Sequence, residues 1–454
     1  MQNYKPIITR HLNELCREIG SRPIGTLNNH RAESYISGVF EELGLQVEKQ
    51  EYACKSWKCE KVELFCGEEK VPAVVNTYST SCGVEAKFTA AGNVFELENG
   101  DFRDRIAVIY GELTQAPLAA KNNNVYNPDE HKRIIGLLEA KEPLAIVAVS
   151  HRAINPVPII EDWDFEIPSV TLSSLDGMRL LKNSGETLRL TVKSEFEAGS
   201  AANVVGKYGK NGKGKLVLCA HLDTKYGTDG AADNGAGVAA LLTVAELIIT
   251  ELAGEEIFKD EMSKEELLKD EILKDELLKD ELLKDELLKD ELLKDELLKN
   301  ELLKDENLPF DIEFVAFNGE EYYALGEMLY LEKNLPNFGD IATAINIDGI
   351  GHYSSTNNIA FFGCPEEFVN TALDLKNKYP GVIQVEPWPA GDHTFFWMKG
   401  VPSMAISSTG TYELFHTADD RVDFISVDKI EEVVRLTLDL VRAICGSICC
   451  SGRI

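Results

Sequence analysis

Residues 215–237, KLVLCAHLDTKYGTDGAADNGAG, restrict the possible folds more than any other part of the chain. An apolar run ends on His221, Asp223 follows two residues later, and Asp233 lies in a glycine-rich loop. The apolar stretch that comes next predicts a helix. Open α/β sheets present polar groups at the carboxyl ends of buried strands in this way. Imidazole and carboxylate are also suitable zinc ligands, so the segment predicts a metal-binding sheet edge.

Three later segments place polar side chains where predicted strands end. Glu320 and Glu321 follow the apolar run 312–317, Asp348 ends the run 344–347, and His416 follows the strand-like run 402–407. The carboxyl ends of parallel strands meet at one edge of a sheet, so we expect these side chains to converge there.

The residue types gathered in this way match the needs of two zinc ions. Each ion requires a shared bridging carboxylate and about two further protein ligands. Asp233 is predicted as the bridge, with His221 and Asp348 on one ion and Glu321 and His416 on the other. Glu320 remains as a carboxylate that can take a proton from a zinc-activated water.

Taken singly, these residues have ordinary structural explanations. A Glu pair at the start of a helix favours the helix dipole. A lone histidine such as His416 is often a hydrogen-bonded structural residue, and Asp348 could cap a helix. The joint order, with every candidate at a strand end, favours the metal site.

The ordered motifs HLD…ADNGAG, NGEE, INID, GDH and FHTADD resemble those of the two-zinc exopeptidases of peptidase clan MH. That family includes leucyl aminopeptidases, glutamate carboxypeptidases and glutaminyl cyclases. The resemblance covers roughly residues 1–54 and 197–454, apart from an insertion. It implies an α/β fold with a mixed, mostly parallel central sheet flanked by helices. It also implies two Zn²⁺ ions, the five ligands named above, and Glu320 as general base.

The resemblance assigns roles to further residues. Asp223 is expected to orient His221 through the other ring nitrogen, and the peptide between Asp233 and Asn234 is expected to be cis. His393, in the GDH motif, matches a position on the substrate side of the pocket, with a structural hydrogen bond as the alternative. One departure is the stretch 322–327, YYALGE, where the family usually has a short Gly-Leu-x-Gly-Ser turn.

Two insertions divide the predicted catalytic domain, which comprises residues 1–54 and 197–454. Residues 55–196 contain short β-like segments and a strand-helix-strand unit at 106–110, 131–140 and 145–149. They resemble a protease-associated domain that would shade the cleft, and an unrelated β-rich insertion is the alternative.

The second insertion, 254–307, repeats Leu-Leu-Lys-Asp-Glu every five residues. A five-residue step turns about 140° around a helix, so the leucines form no constant stripe and a heptad coiled coil is excluded. The segment predicts a solvated, charged helix, with partial disorder as the alternative.

The net charge of −30 argues against nucleic acid and anionic membrane surfaces as partners. No run is expected to span a bilayer and no export signal is apparent, so the expected location is the cytoplasm. Residues 209–215 fit the pattern GxxxxGK, but Leu216 replaces the Ser or Thr of a phosphate-binding loop. The segment instead predicts a hairpin turn.

Together these patterns predict a zinc-dependent exopeptidase, foremost an aminopeptidase, that acts on peptides. Within the same family, the alternatives are a carboxypeptidase or dipeptidase, and a glutaminyl cyclase, which uses one zinc. A binding or scaffold protein with a dead site is an alternative of another class. The sequence does not determine the oligomeric state.

Overall fold

The computed structural model describes residues 3–123, 125–183, 185–209, 214–253, 311–410 and 413–451, with backbone alone in 446–451. The helices are α1 (Lys5–Asn13), α2 (Leu27–Glu42), α3 (Val94–Asn99), α4 (Asp129–Lys141), α5 (Ser174–Lys182), α6 (Ala236–Ala253), α7 (Leu325–Asn334), α8 (Glu366–Lys376), α9 (His393–Met398) and α10 (Val427–Ser451). The strands are β1 (Gln46–Cys66), β2 (Glu69–Val71), β3 (Val74–Val75), β4 (Cys82–Ala91), β5 (Ile106–Ile109), β6 (Ala145–Val149), β7 (Ser169–Leu172), β8 (Thr187–Tyr208), β9 (Lys215–His221), β10 (Asp311–Phe317), β11 (Ile341–Ile347), β12 (Thr356–Phe362), β13 (Val382–Gln384) and β14 (Ser403–Thr409). The predicted repeat helix at 254–307 lies outside the described residues.

The described strands form a 14-stranded sheet in the order β13-β12-β14-β11-β9-β10-β8-β4-β5-β6-β7-β3, with β1 beside β8 and β2 beside β1. Within it β9, β10, β11 and β14 are parallel to one another, while β12 and β8 run antiparallel on either side. Helices flank this central part, so the predicted α/β class with a mixed, mostly parallel sheet is confirmed.

The central strands are buried on both faces, as their unbroken apolar runs predict. Residues 216–220 of β9 are all fully buried. Their even-numbered side chains pack with α6 and α10 in one core cluster. Their odd-numbered side chains pack on the other face with Tyr330 of α7 and Phe396 of α9. This two-sided burial fixes the register of the strand whose end carries His221.

The helix that follows the glycine-rich loop is more apolar than expected. The stretch Ala231–Leu252 has a mean hydropathy of 1.7 and is long enough to cross a membrane, so the expectation that no run has that length is wrong. However, 72% of its apolar window is buried inside the protein. Packing between the sheet, α1 and α10 therefore accounts for this composition.

Two long strands join the central part of the sheet to the inserted part. β1 and β8 pair antiparallel from Gln46 with Lys207 to Cys66 with Leu188. The predicted domain boundaries at 54/55 and 196/197 lie inside these strands, and the division into domains stays a prediction. The strand-helix-strand unit expected in the insertion is present as β5, α4 and β6, with β5 and β6 parallel.

Within the segment 209–215, where a hairpin turn is expected, residues 210–213 lie outside the described residues, and the strands on either side are not neighbours in the sheet. β8 and β9 flank that segment, but β10 lies between them in the sheet, antiparallel to β8 and parallel to β9. The hairpin prediction was wrong because the partner of β8 comes from about a hundred residues further along the chain.

Candidate metal centre

The carboxyl ends of four parallel strands bring the predicted site residues to one edge of the sheet. β9 ends with His221, Asp348 follows β11, the pair Glu320 and Glu321 follows β10, and His416 follows β14. Asp233 reaches the same place from the loop that precedes α6. The structure thus places all six side chains at one edge, as their positions at strand ends predict.

Five of these side chains form two groups that share Asp233. In the first group, Nε2 of His221 lies 3.1 Å from Oδ1 of Asp233 and 3.4 Å from Oδ1 of Asp348. In the second, Nε2 of His416 lies 3.1 Å from Oδ2 of Asp233 and 3.3 Å from Oε2 of Glu321. Each oxygen of Asp233 therefore faces a different group.

The donor atoms of both groups fit zinc. Among the described residues, Nε2 of His221 and Oε1 of Glu321 are buried and make no hydrogen bond. Nδ1 of His221 lies 3.2 Å from the backbone carbonyl oxygen of Asp223, which can only accept, so Nδ1 carries the hydrogen. Nε2 is then the ring atom that points into the group. Imidazole nitrogen and carboxylate oxygen are ligands that zinc prefers.

The carboxylates of the two groups affect the charge of both histidines. Burial disfavours protonation of His221, but Asp348, Asp223 and Asp233 outweigh it and raise the pKa well above its usual range. Burial also lowers the pKa of His416, yet its carboxylate neighbours Glu321 and Asp233 raise it to about 9. This concentration of negative charge is a favourable environment for divalent cations.

Backbone contacts hold the loop that carries Asp233. Its peptide to Asn234 is cis, as the resemblance implies. The side-chain amide of Asn234 donates to the carbonyl of Ile347 at 2.9 Å. Asp420 accepts from the N–H of Ala232 at 2.7 Å through one oxygen and from that of Asp233 at 3.0 Å through the other. Asp420 ends the FHTADD motif, and this contact was not predicted.

Asp223 makes contacts that differ from the expected ones. Its Oδ1 lies 3.7 Å from Nδ1 of His221, longer than a hydrogen bond, and its backbone carbonyl accepts from that ring instead. The carboxylate accepts from the N–H groups of Glu320 at 3.3 Å and Glu321 at 3.2 Å. Asp223 therefore connects the ends of β9 and β10 and orients the Glu pair as well as the histidine.

Glu320 belongs to neither ligand group. Burial raises the pKa of its carboxyl group well above the usual range; His221 opposes this shift, and Glu321, Asp392 and Asp348 add to it. A buried carboxyl group with a raised pKa that belongs to neither ligand group is suited to proton transfer.

Two carboxyl groups that were not predicted lie buried near Glu320. Glu327, in the YYALGE departure, is 1% exposed, and Asp392 is fully buried. Burial raises the pKa of Asp392 to about 7 and that of Glu327 well above its usual range, with the Asp392 charge as the next cause for Glu327. Burial of these two groups therefore disfavours the charged form of both.

Lys225 is a further residue that the motifs did not indicate, although it lies in the segment 215–237. Its Nζ donates to the backbone carbonyl of Glu321 at 2.7 Å and lies 2.9 Å from Oε2 of Glu161. Burial lowers its pKa, but Glu161 and Glu321 outweigh this and raise it above the usual value. The ammonium group therefore stays charged beside a predicted metal ligand.

His393 belongs to neither ligand group. It is 1% exposed, its Nε2 lies 3.2 Å from the carbonyl oxygen of Trp388, and its ring centroid lies 4.3 Å from that of Phe362. These contacts are typical of a packed structural histidine. Its substrate-side role stays a prediction.

One protein-family model and two curated relatives match parts of this chain. The family model described as peptidase family M28 matches residues 203–257 and 296–441. Leucine aminopeptidase 1 of Emericella nidulans is 31% identical over 144 residues, which is 29% of this chain and 37% of that protein. The probable lipoprotein aminopeptidase LpqL of Mycobacterium tuberculosis is 25% identical over 237 residues, 50% of this chain and 45% of that protein. The chain thus spans less than half the length of these relatives.

Solved structures match over nearly the whole chain. BSAP, a zinc aminopeptidase from Bacillus subtilis, has a TM-score of 0.69 at 16% identity, covering 97% of this chain and 95% of its own. The aminopeptidase from Aneurinibacillus sp. strain AM-1 has a TM-score of 0.65 at 16% identity, covering 97% and 93%. At this identity the likeness shows a shared fold.

Proposed function

The chain belongs to peptidase family M28, and from that premise we propose that it is a zinc-dependent aminopeptidase acting on peptides. The observation that carries the proposal is the position of Asp233, whose two oxygens face separate ligand groups. A shared carboxylate between two nitrogen-and-oxygen groups is the arrangement that a pair of zinc ions requires. When bound, zinc would polarise the scissile carbonyl group and lower the pKa of water.

Glu320 would act as the general base. It would accept a proton from the attacking water and return that proton to the amine that leaves. Asp223 holds the backbone of Glu320 and Glu321 by two hydrogen bonds, so it would keep the base in place beside the ligand groups. Burial would maintain the raised pKa of Glu320, and the charges of Glu321 and Asp392 would add to it.

The charge of the site favours a substrate amine over a substrate carboxylate. A carboxypeptidase needs a cation to bind the C-terminal carboxylate. In the described part of the chain, Lys225 is the lysine in ion-pair contact with the site, and Glu161 and Glu321 already surround it. Arg152, near His416, donates to the backbone carbonyls of Glu413 and Phe415. These engagements support release of N-terminal residues.

The alternatives fit less well. A glutaminyl cyclase uses one zinc, whereas two ligand groups share Asp233 here. A scaffold protein with a dead site would not need Glu320 with a raised pKa beside two complete groups. We propose peptides as the partners of this site. With a net charge of −30, nucleic acid and anionic membranes are not proposed as partners.

The proposal is tested with a panel of aminoacyl anilides, beside N-acetylated peptides that have free C-termini. We expect hydrolysis of the anilides and two zinc ions per chain by elemental analysis. In Glu320→Gln we expect both ions to remain and kcat to fall by about 10²–10⁴-fold, the usual contribution of a positioned proton acceptor.

Glu332→Gln, the same substitution at an exposed position of α7, is the matched control and should keep full activity. Near-native kcat in Glu320→Gln at full zinc content would show that another group is the base. Cleavage of the acetylated peptides with inert anilides would favour the carboxypeptidase alternative.

A further inference from the structure

Lys225 lies close to one of the predicted ligand atoms of the second group. Its Nζ lies 3.8 Å from Oε2 of Glu321, and that same oxygen lies 3.3 Å from Nε2 of His416 in the second ligand group. A positive charge this close repels a cation that binds to the oxygen. Glu321 also pairs with Lys225 through its backbone carbonyl, so the ammonium cannot move away without breaking a 2.7 Å hydrogen bond.

The charge that offsets Lys225 comes from the inserted part of the chain. Oε2 of Glu161 lies 2.9 Å from Nζ, closer than the carboxylate of Glu321. The other oxygen, Oε1, accepts from the hydroxyl of Thr77 at 2.6 Å. The side chains of Lys225 and Glu161 are 13% and 11% exposed, so solvent screens the pair weakly.

Contacts of the two residues after Glu161 hold this part of the chain against Tyr323, which follows the pair Glu320 and Glu321. The ring of Trp163 stacks on that of Tyr323 with centroids 4.2 Å apart, and the backbone N–H of Trp163 donates to the Tyr323 hydroxyl at 2.8 Å. The same hydroxyl donates to Asp162 at 3.1 Å. Tyr323 is in the stretch 322–327, which departs from the family's short glycine turn.

The inserted part also contacts the residue that precedes His416, another ligand of the second group. Arg152 donates to the carbonyl of Phe415 at 3.4 Å, one residue before His416. Within the described residues, no hydrogen bond or ion pair joins 55–196 to His221 or Asp348. The inserted part therefore contacts two neighbours of the second ligand group, Lys225 and Phe415, and not the ligands themselves.

We propose that Glu161 sets the zinc affinity of the Asp233–Glu321–His416 group by neutralising Lys225, so that the inserted part of the chain controls loading of one of the two metal positions. This inference rests on the proposed two-zinc function. Glu161 acts as a positioning residue because it contacts neither metal group directly. Without its charge, the ammonium would turn fully toward Oε2 of Glu321 and oppose the metal there.

The test is a zinc titration in chelator-buffered solutions, which resolves two binding steps on the full chain. In Glu161→Gln, which keeps the side-chain shape, we expect one step to weaken by about 10–100-fold, the usual effect of a residue behind a ligand. It should be the step that His416→Ala abolishes, and the other step should stay within about twofold. Adding Lys225→Met to Glu161→Gln should restore the weakened step, because the uncompensated charge is then gone.

The matched control is Glu139→Gln, which breaks a Glu–Lys pair of similar length (2.8 Å, with Lys121) elsewhere in the inserted part. It should leave both steps unchanged. If the wild type shows two zinc-binding steps and Glu161→Gln leaves both affinities unchanged, this inference is overturned and the two-zinc proposal still holds. If the double variant binds zinc as weakly as Glu161→Gln in that step, the inference is also overturned. The loss of contacts, and not the uncompensated charge, would then explain the weaker binding. A wild type that binds one zinc would refute this inference together with the two-zinc proposal.

Discussion

Replacement of Arg22 by methionine tests how the loop that carries Asp233 is held. Arg22 is fully buried, and its guanidinium donates to the carbonyls of Leu222 at 2.6 Å, Asp229 at 2.7 Å and Gly230 at 3.1 Å. These carbonyls belong to the chain between β9 and Asp233. Arg22 thus fixes the path of the segment that delivers the bridging carboxylate.

The magnitude follows from the carbonyls that would lose their partner. The carbonyl of Gly230 also accepts from the backbone N–H of Gly235 at 2.8 Å, so it would keep one hydrogen bond. Among the described residues, the guanidinium of Arg22 is the one donor to the carbonyls of Leu222 and Asp229. An unsatisfied buried carbonyl costs about 1–3 kcal/mol. Removing a buried charge returns part of this cost. We expect the loop to lose about 2–4 kcal/mol of stability against local opening.

The assay is hydrogen–deuterium exchange of residues 222–235 in zinc-free protein. The loss of 2–4 kcal/mol corresponds to a fall in amide protection of roughly 30- to 700-fold. Arg22→Lys keeps the charge and three donors without the planar fork, so its effect should be smaller. Arg31→Met, at an exposed position of α2, should have no effect on this loop. Unchanged protection in Arg22→Met would refute the assigned role.

Three further outcomes are expected. Asp223→Ala removes the acceptor of two backbone N–H groups and should lower zinc affinity or activity by about 10–100-fold. Zinc titration and kinetics measure this effect, and unchanged values would contradict the role assigned to Asp223. The raised pKa of His416, about 9, keeps its ring protonated in metal-free protein at pH 7. Zinc binding should therefore release a proton from this ring, and zinc affinity should fall about tenfold per pH unit as the pH decreases below 9. Calorimetry in two buffers of different ionisation enthalpy would detect the released proton, and identical heats in both buffers would contradict this expectation. Replacing residues 256–306 by a short Gly/Ser linker should leave kcat/KM within about threefold, because β10 begins at the sheet edge opposite the site. Loss of activity in folded, zinc-loaded protein would show that the repeat acts on the site.

The position of the candidate site could be predicted because its signals are local. An unbroken apolar run predicts a buried strand, and the first polar residues after it mark the carboxyl end. His221, Asp348 and the Glu pair are all found by this rule. Their grouping around Asp233 also agrees with the predicted count of ligands for two ions. Site residues that directly follow a buried strand can therefore be predicted from the sequence alone.

Contacts between distant segments were decided by the tertiary structure. No local pattern indicates that Arg22 reaches the carbonyl of Leu222, or that Glu161 of the inserted part lies beside Lys225. The insertion of β10 between β8 and β9 likewise turned an expected hairpin into two separated strands. Sequence determined which side chains stand at the strand ends, because hydrophobic periodicity depends on neighbours along the chain. The structure decided what surrounds them, because a hydrogen bond or ion pair depends on distance in space, which the path of the whole chain sets.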